Sequence, residues 1–490
     1  MPDNVTFNTI PIDIRTPGQY VEVDNSKALK GLPNMNRRIL FIGNMLAAGS
    51  AAAGTLHRIN ASGEAAGLFG RGSVLHEMLV GARGANKETD MWAIGLSDDA
   101  GGTAATQTIT ITGPATAAGT VSLYVNGQLL NVGVASGDAA TAIAIAVAAK
   151  INAYLDGPFT AVPAAGVVTV THRHKGAFTS DADVRVNYQA DEALPPGVAI
   201  VIAAGVVGTG NPDVATALAA ISEEAFYTVV VPYADATNIA KLETEFSTRW
   251  GGMDMRTGHL FVGKSGTHGD LTAFGSARNS PHSSAFGVKK PPQGSYNWAA
   301  RMAAVVEFSG SIDPARPFQT LVVPGLMAPA RADRFTRQER DLLLRDGIST
   351  FTVDQGGNVL IERVVTTYQV NGFGIEDVSY LDLESKWTAD YMRFAFRARI
   401  GLRFPRYKLA DDGTSFAPGQ PVATPRMIRG ELLDVARQLE LVGILEGFEQ
   451  FKEDLIVVRS ESDVNRVNAI LPANLVNQFR VFAASVQFIL

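Results

Sequence analysis

The sequence predicts an α/β (α+β) protein of several domains whose core is a mixed sheet with flanking helices. Three observations predict this class. The chain has 490 residues, enough for about three domains of ordinary size. Segments with strand and helix periodicity alternate through much of the chain, which is typical of a sheet with some parallel pairing. Residues 101–205 carry about half the charge density of the remaining chain, which predicts a module inserted into the core.

Composition excludes several classes of protein. Lys and Arg number 42 and Asp and Glu 48, so the formal net charge of −6 argues against a globally basic nucleic-acid binder. The absence of cysteine excludes disulfides, thiolate metal sites and cysteine nucleophiles. The apolar runs 139–150 and 197–208 are shorter than the ~18–20 residues that span a bilayer. The start does not resemble a signal peptide, so we expect a soluble protein made in a cytoplasm, without membrane insertion.

The elements follow from periodicity, taken in chain order. Core strands are predicted at 37–45, 90–97, 225–232 and 257–265, and core helices at 73–82, 212–224, 235–249, 268–279 and 295–310. The inserted module is strand-rich, with strands at 106–113, 167–174 and 183–188, a hairpin at 119–135 turning at Asn126-Gly127, and a helix after Asp138. The last third contains helices at 334–347, 381–404 and 426–448 and a hairpin at 348–370.

These elements divide the chain into six parts. We expect an N-terminal arm and linker at 1–35, core segments at 36–98 and 208–330, an inserted outer module at 99–207, a C-terminal domain at 331–476 and a C-terminal strand arm at 477–490.

Both ends of the chain have strand patterns with no hairpin partner nearby. In the N-terminal segment Val21 and Val23 alternate with polar residues. In the last segment Phe482, Val486 and Phe488 fall on one face of a strand that ends at the last residue. The termini either pair with the chain's own sheets or are arms donated to the sheet edge of a neighbouring subunit.

The sequence resembles the tail sheath proteins of Mu-like contractile-tailed phages. The resemblance covers nearly the whole chain, and its most specific parts are the terminal segments. It rests on four segments: RTPGQYVEVDNSKA (15–28), ARPFQTLVVPGLMAPA (315–330), RFTRQERDLLLRDGIST (334–350) and NAILPANLVNQFRVFAASVQFIL (468–490).

This resemblance implies a structural role in the tail of a virion. It implies a homo-oligomer of stacked hexameric rings around a tail tube protein, with baseplate and tail terminator proteins as further partners. Contraction would drive the tube through the host envelope, and assembly would take place in the host cytoplasm. Arms at about 13–26, centred on Tyr20, Val21 and Val23, and at 477–490 would complete a neighbour's sheet. No active site, cofactor or metal is implied, and no nucleic-acid partner.

One string suggests an enzyme instead. Residues Gly258–Ser265 (GHLFVGKS) match the phosphate-loop pattern G-x-x-x-x-G-K-[ST]. A true phosphate loop follows its strand and leads into a helix, whereas His-Leu-Phe-Val in the variable positions looks like the strand itself. We therefore expect Lys264 at a strand end. An NTPase using this string, or another tail component such as a tube or baseplate protein, stays an alternative.

Two further patterns leave alternatives open. His172 and His174 lie two apart on a predicted strand and could bind a metal with Asp181 or Asp183, or be solvated hairpin residues, the interpretation we favour. Residues 391–408 contain six basic side chains among aromatics and could contact single-stranded nucleic acid, although a charged face within or between subunits is favoured.

The helix after Pro425 has a basic stripe beside its apolar one. In related sheaths a helix of the C-terminal domain touches the inner tube, so the resemblance suggests that Arg426, Arg429 and Arg437 face acidic groups of the tube. The alternative is a plain solvated helix face, since exposed ion pairs are individually weak.

Overall fold

The computed structural model describes residues 15–21, 31–417 and 419–488. Within these ranges the chain forms two compact units. The larger unit is Arg37–Glu384, and the smaller combines the N-terminal segment up to Asn36 with Ser385–Leu490.

The elements of the larger unit are numbered in chain order. Its strands are β1 (Arg38–Asn44), β2 (Leu56–Ile59), β3 (Asp90–Leu96), β4 (Thr106–Thr112), β5 (Gly119–Val125), β6 (Gln128–Val134), β7 (Phe159–Ala164), β8 (Val167–His172), β9 (Val184–Val186), β10 (Ala199–Ala204), β11 (Thr228–Val231), β12 (His259–Ser265), β13 (Ser283–Val288), β14 (Ile348–Val353) and β15 (Val359–Arg363). Its helices are α1 (Ser62–Phe69), α2 (Val74–Ala85), α3 (Ala140–Ala153), α4 (Ala215–Ile221), α5 (Ala236–Trp250), α6 (His268–Ser276), α7 (Ser295–Ile312) and α8 (Arg337–Arg345).

A central sheet of eight strands has the order β15-β14-β13-β12-β11-β1-β3-β2. The strands from β14 to β3 are parallel, whereas the edge strands β15 and β2 pair antiparallel. The chain order reverses between β1 and β11, because β1 connects toward β3 on one side and β11 toward β12 on the other. In open parallel sheets such a reversal leaves a crevice at the carboxyl ends of the strands.

The inner strands are apolar on both faces, as expected for parallel strands covered by helices on each side. Ile39–Ile42 of β1 and Val229–Val231 of β11 are fully buried. Helix α7 packs on β1, β11, β12 and β13 and also on α2, with Trp298 among its buried side chains. The α/β core that the sequence predicts is therefore present.

Between β3 and α4 the chain forms a smaller α+β structure, the inserted module. The antiparallel sheets β10-β4-β8-β7 and β6-β5-β9 share one apolar core with α3. The chain leaves and returns side by side, because the Thr103 N–H donates to the Thr209 carbonyl (2.9 Å) and the Thr209 N–H to the Thr103 carbonyl (3.1 Å). The hairpin turn predicted at Asn126-Gly127 is confirmed, with φ of 48° and 88°.

The smaller unit contains two long helices and several short strands. Its elements are α9 (Leu383–Arg403), which starts at the end of the larger unit, then β16 (Lys408–Leu409), β17 (Val422–Ala423), α10 (Pro425–Leu441), β18 (Leu445–Glu446), α11 (Phe448–Asp454), β19 (Ile456–Arg459), β20 (Val467–Ile470) and β21 (Asn474–Leu475). The Thr424 side chain caps α10 and Pro425 is its first residue, as its fixed φ favours. Helix α10 packs on β18, β19 and α11.

Two features differ from the expectations. The helix predicted at 426–448 is wrong beyond Leu441, because Gly443 and Gly447 adopt φ of 74° and 75°, the left-handed conformation that ends helices. The two units divide at 384/385, whereas the expected domain boundary was at 331. The difference arises because β14 pairs with β13 and so joins the central sheet.

Candidate functional site

The C-terminal segment leaves the fold after β21. The Val476 N–H donates to the Ile444 carbonyl (3.1 Å), and residues 477–488 form no helix or strand. Phe482, Val486 and Phe488 are between 80% and 91% exposed. Large apolar side chains grouped in solvent are unusual on a monomer and typical of an interaction site. Among the described residues, strand pairing with the chain's own sheets therefore ends at β21.

The N-terminal segment is described only at 15–21, and these residues form no helix or strand. Val21 is 88% exposed and Tyr20 is 44% exposed, with the Tyr20 hydroxyl donating to the Thr16 carbonyl (3.1 Å). Val23, the third residue of the predicted N-terminal arm, lies outside the described residues.

An open two-stranded sheet is present in the smaller unit. Strands β19 and β20 pair antiparallel, with Ile456 opposite Ile470, and among the described residues neither has a second strand partner. Ile456 and Val458 are each 49% exposed, and Ile470 is 61% exposed. Such a sheet is marginal alone, and a further strand would stabilise it. Sequence reasoning missed this sheet, although the alternation in DLIVVRS and NRVNAI is the signal that could have found it.

The three arginines of α10 differ in their surroundings. Arg426 is exposed, and Arg437 is exposed with its guanidinium over the Phe448 ring at 4.9 Å. Arg429 is half-buried and donates to the Lys452 carbonyl of α11. The structure therefore leaves Arg426 and Arg437 on the surface and commits Arg429 to a contact within the subunit.

The basic segment of α9 contacts α10 within the smaller unit. Arg399 bonds to Asp434 (2.5 Å) and Glu431 (3.2 Å), and Arg403 bonds to Glu431 (3.0 Å). The sequence predicts a charged face within or between subunits, and these pairs lie within the subunit. Two of the cations that a nucleic acid would need are therefore already neutralised.

The phosphate-loop string is a strand, as the sequence predicted. Residues 259–265 form β12, paired on both sides with β11 and β13, and residues 259–263 are buried. Gly263 lies so close to helix α7 that a Cβ there would be 1.9 Å from the Ser295 carbonyl oxygen. The backbone N–H groups are used by the sheet and cannot surround a phosphate.

The crevice at the reversal of the central sheet is filled by the inserted module. Asn44 and Tyr233, at the ends of β1 and β11, hydrogen-bond to each other (2.7 Å), and Asn44 donates to Asp98 (2.7 Å). Asp98 also contacts His174 Nδ1 at 2.8 Å. The ring of Phe178, from the module, packs on Tyr233 with centroids 5.7 Å apart. No local sequence signal identifies these residues, which lie far apart in the chain.

The favoured interpretation of His172 and His174 as solvated residues is wrong. They are 2% and 0% exposed. Burial lowers the pKa of His172 to about 3, so its ring is neutral, and His172 Nδ1 accepts the His174 N–H (3.0 Å). The pKa of Asp98 is below its ordinary value. Burial alone would raise this pKa, but the hydrogen bonds with His174 and Asn44 outweigh the effect of burial. Among the described residues no group of three acidic, His or Cys side chains could hold a metal ion.

The described helices include none that is both long and apolar enough to cross a bilayer. The exposed apolar side chains of Phe482, Val486 and Phe488 are typical of a protein that assembles with other chains. The sequence matches the family described as phage tail sheath protein central domain over residues 208–367 and the phage tail sheath C-terminal domain over residues 376–489.

Comparison with known proteins agrees with this class. The chain is 41% identical over 487 residues to the Mu-like prophage FluMu tail sheath protein of Haemophilus influenzae, covering 99% of this chain and 100% of the relative. This chain belongs to the phage tail sheath family and is a structural component of a phage tail.

Two solved structures are also similar. The helical sheath of the anti-feeding prophage in its contracted state matches with a TM-score of 0.50 and 10% identity, covering 97% of this chain and 99% of that one. The sheath tail protein of Desulfitobacterium hafniense matches with a TM-score of 0.49 and 13% identity, covering 94% and 97%. The first of these likenesses shows a shared fold.

Proposed function

We propose that this sheath subunit polymerises as stacked hexameric rings in which each copy lends both termini to its neighbours. The observation that carries the proposal is the exposed apolar face of Phe482, Val486 and Phe488 beyond the last strand of the fold. Covering these side chains on assembly would gain ~1.5–3 kcal/mol for each one fully buried.

The open sheet of β19 and β20 is the proposed receiver of these arms. Its exposed Ile456, Val458 and Ile470 offer an apolar surface, and its outer edges offer backbone N–H and C=O groups. A donated strand satisfies both at once, as in other cases of strand addition. The N-terminal arm at about 13–26, with Tyr20, Val21 and Val23, is proposed to add to the same sheet in a different copy.

The arms are proposed to stay engaged while the subunits move during contraction. Main-chain strand bonds join copies without fixing the angle between their bodies, since the donated segments are attached through 31–36 and through the residues after β21. The energy of contraction would be stored in the extended assembly and released as copies reach a better-packed state, so no nucleotide is needed. The subunit is accordingly proposed to lack an active site and a cofactor.

The proposed neighbours beyond the sheath itself are the tail tube, baseplate and tail terminator proteins, with assembly in the host cytoplasm. For the tube, the exposed Arg426 and Arg437 of α10 support a contact with acidic groups. Exposed ion pairs contribute only ~0.2–1 kcal/mol each, which suits a contact that must break during contraction. The inserted module at 99–207 is proposed to face outward.

Deleting residues 477–490 tests the exchange of arms. The truncated chain should stay folded and monomeric, because its own sheets end before this segment, and should form no cylinders or rings in electron micrographs. A matched pair of full-length variants separates the arm's apolar face from its length. F482S/V486S/F488S should lose assembly, and A483S/S485A/Q487S, on the other face of the same segment, should keep it. Normal polymers from the truncated chain would contradict the proposal.

Reversing two charges tests the tube contact. R426E/R437E sheath should sediment with the isolated tube at least about tenfold less, since two weak attractions become repulsions. R397E changes an exposed arginine of α9 and is the matched control. Equal sedimentation of the double variant and the control would remove α10 from the tube interface.

A further inference from the structure

A buried ionic cluster, here the first clamp, lies where the chain enters the larger unit. Arg37 is the first residue of that unit, and its guanidinium pairs with Glu307 of α7 through Nε–Oε1 (2.6 Å) and Nη2–Oε2 (3.2 Å). Its Nη1 donates to the Gly310 carbonyl (2.6 Å), and its Cζ lies 3.8 Å from the Tyr227 ring centroid. The Thr228 hydroxyl of β11 donates to the same carboxylate (2.5 Å). The first clamp therefore joins the start of β1 to β11 and α7.

A second cluster of the same kind lies where the chain leaves the larger unit. Glu384, its last residue, is fully buried and accepts the Phe318 N–H (2.9 Å). Two residues earlier, Asp382 pairs with Arg363 of β15 at 2.7 and 2.9 Å. Both peptide connections to the larger unit are thus flanked by charged side chains that point into it.

Equilibrium stability does not account for a cluster of this kind. Glu307 is fully buried and Arg37 is 9% exposed, so both ions lose most of their hydration. Removing ions from water offsets most of their attraction, and apolar side chains of similar volume often stabilise as well. Bidentate pairing is directional, whereas apolar packing is not. The two N–H···O bonds hold a fixed geometry and resist sliding of the two side chains past each other.

A force that pulls on Asn36 would act first on the backbone hydrogen bonds at the start of β1. Without a side-chain anchor the hydrogen bonds to β3 and β11 would open one after another from that end. Because Arg37 is bonded to α7, the bonds of the first clamp and the strand hydrogen bonds of β1 must break together.

We propose that the first clamp is a mechanical anchor that keeps β1 in the central sheet when the N-terminal segment is pulled. The source of the pull rests on the proposed exchange of arms, whereas the anchoring itself can be measured on a single copy that has no neighbours.

The absence of native cysteine makes the experiment simple. Handles are attached at N34C and S97C, both exposed positions, in the full chain. Position 34 precedes β1 and position 97 follows the parallel neighbour β3, so constant force between them shears β1 along the sheet. The rupture rate is measured in this background and in variants of the first clamp.

Two variants separate anchoring from packing. R37M/E307M replaces the pair by apolar side chains and should melt close to the parent temperature, yet rupture at least about ten times faster, which corresponds to about 1.4 kcal/mol of barrier. E307Q keeps the shape of the side chain and should also rupture faster. R345M alters an exposed pair with Asp341 and should rupture at the parent rate.

An unchanged rupture rate in both clamp variants would overturn the proposal. So would a double variant that ruptures no faster than the parent while E307Q ruptures faster, because packing alone would then explain the anchor. If R37M/E307M does not fold, E307Q against R345M decides alone. Failure of single copies to polymerise leaves this measurement untouched, so it is distinct from failure of the proposed function.

Discussion

Glu77 illustrates how one side chain joins the inserted module to the core. Its carboxylate accepts hydrogen bonds from the Tyr296 hydroxyl of α7 (2.8 Å) and from Asn126 Nδ2 at the module hairpin (3.0 Å). The Asn126 side-chain oxygen Oδ1 in turn accepts the Gly294 N–H at the start of α7 (2.7 Å). Burial raises the pKa of Glu77 to about 7 despite these donors. A carboxyl group with that pKa titrates near neutral pH.

The stability of the larger unit should therefore depend on pH through Glu77. In the unfolded chain the pKa of Glu77 has its ordinary value near 4.5. Between pH 4.5 and 7 the folded state therefore binds more protons than the unfolded state. Stability then falls as pH rises through this window and levels off above 7, by at most about 3 kcal/mol. E77Q should lose this contribution, so its melting temperature should change less between pH 5 and 8 than that of the parent. E223Q, at an exposed site, is the control. An equal pH dependence in E77Q would contradict the argument.

Elements formed by local pattern are predictable from the sequence, and those formed by distant contacts are not. Strand β1, helix α2 and the Asn126-Gly127 hairpin follow from periodicity and turn chemistry, and the structure confirms them. Strand β13 was missed because Ser283 and Ser284 interrupt its apolar pattern. They are buried, and the Ser283 hydroxyl lies 2.8 Å from that of Thr367. The crevice residues were missed because nothing local indicates that Asn44, Asp98 and His174 meet.

The close approach of β12 to α7 should make Gly263 irreplaceable. A Cβ at this position would overlap the Ser295 carbonyl, and the Gly263 backbone is held in the sheet by its pairing opposite Phe286. G263A should lower the free energy of unfolding by about 2 kcal/mol or more, measured by urea denaturation. Gly133, on β6, has open space around its Cβ position, so G133A is the control. Parent-like stability of G263A would show that the close contact is relieved cheaply.

At the scale of the whole molecule, the sequence indicates the architecture better than the contacts between its parts. The α/β core follows from pattern, and the absence of a strand at residues 477–488 fits the resemblance. The filled crevice and the first clamp depend on residues up to 270 positions apart, and a single sequence does not indicate that they meet. The division at 384/385 was missed for the same reason, because the pairing of β14 with β13 joins residues 63 positions apart.

Nucleotide should not change the melting temperature of the protein. A phosphate-loop site with millimolar Mg-ATP at about 100 times its Kd would stabilise the chain by about 2.7 kcal/mol and raise its melting temperature measurably. Because the GHLFVGKS string is a buried strand, the melting temperature should be the same with and without Mg-ATP. A reproducible increase that K264A abolishes would restore the enzyme alternative.

The packing of Phe178 on Tyr233 has a consequence for access to the carboxyl ends of β1 and β11. In many α/β proteins the crevice at the strand reversal is where a small-molecule ligand binds. Here the Phe178 ring of the inserted module occupies this crevice. A small molecule could reach the buried Tyr233 only after the Phe178 ring had moved away, so binding at this position would require a local opening of the inserted module.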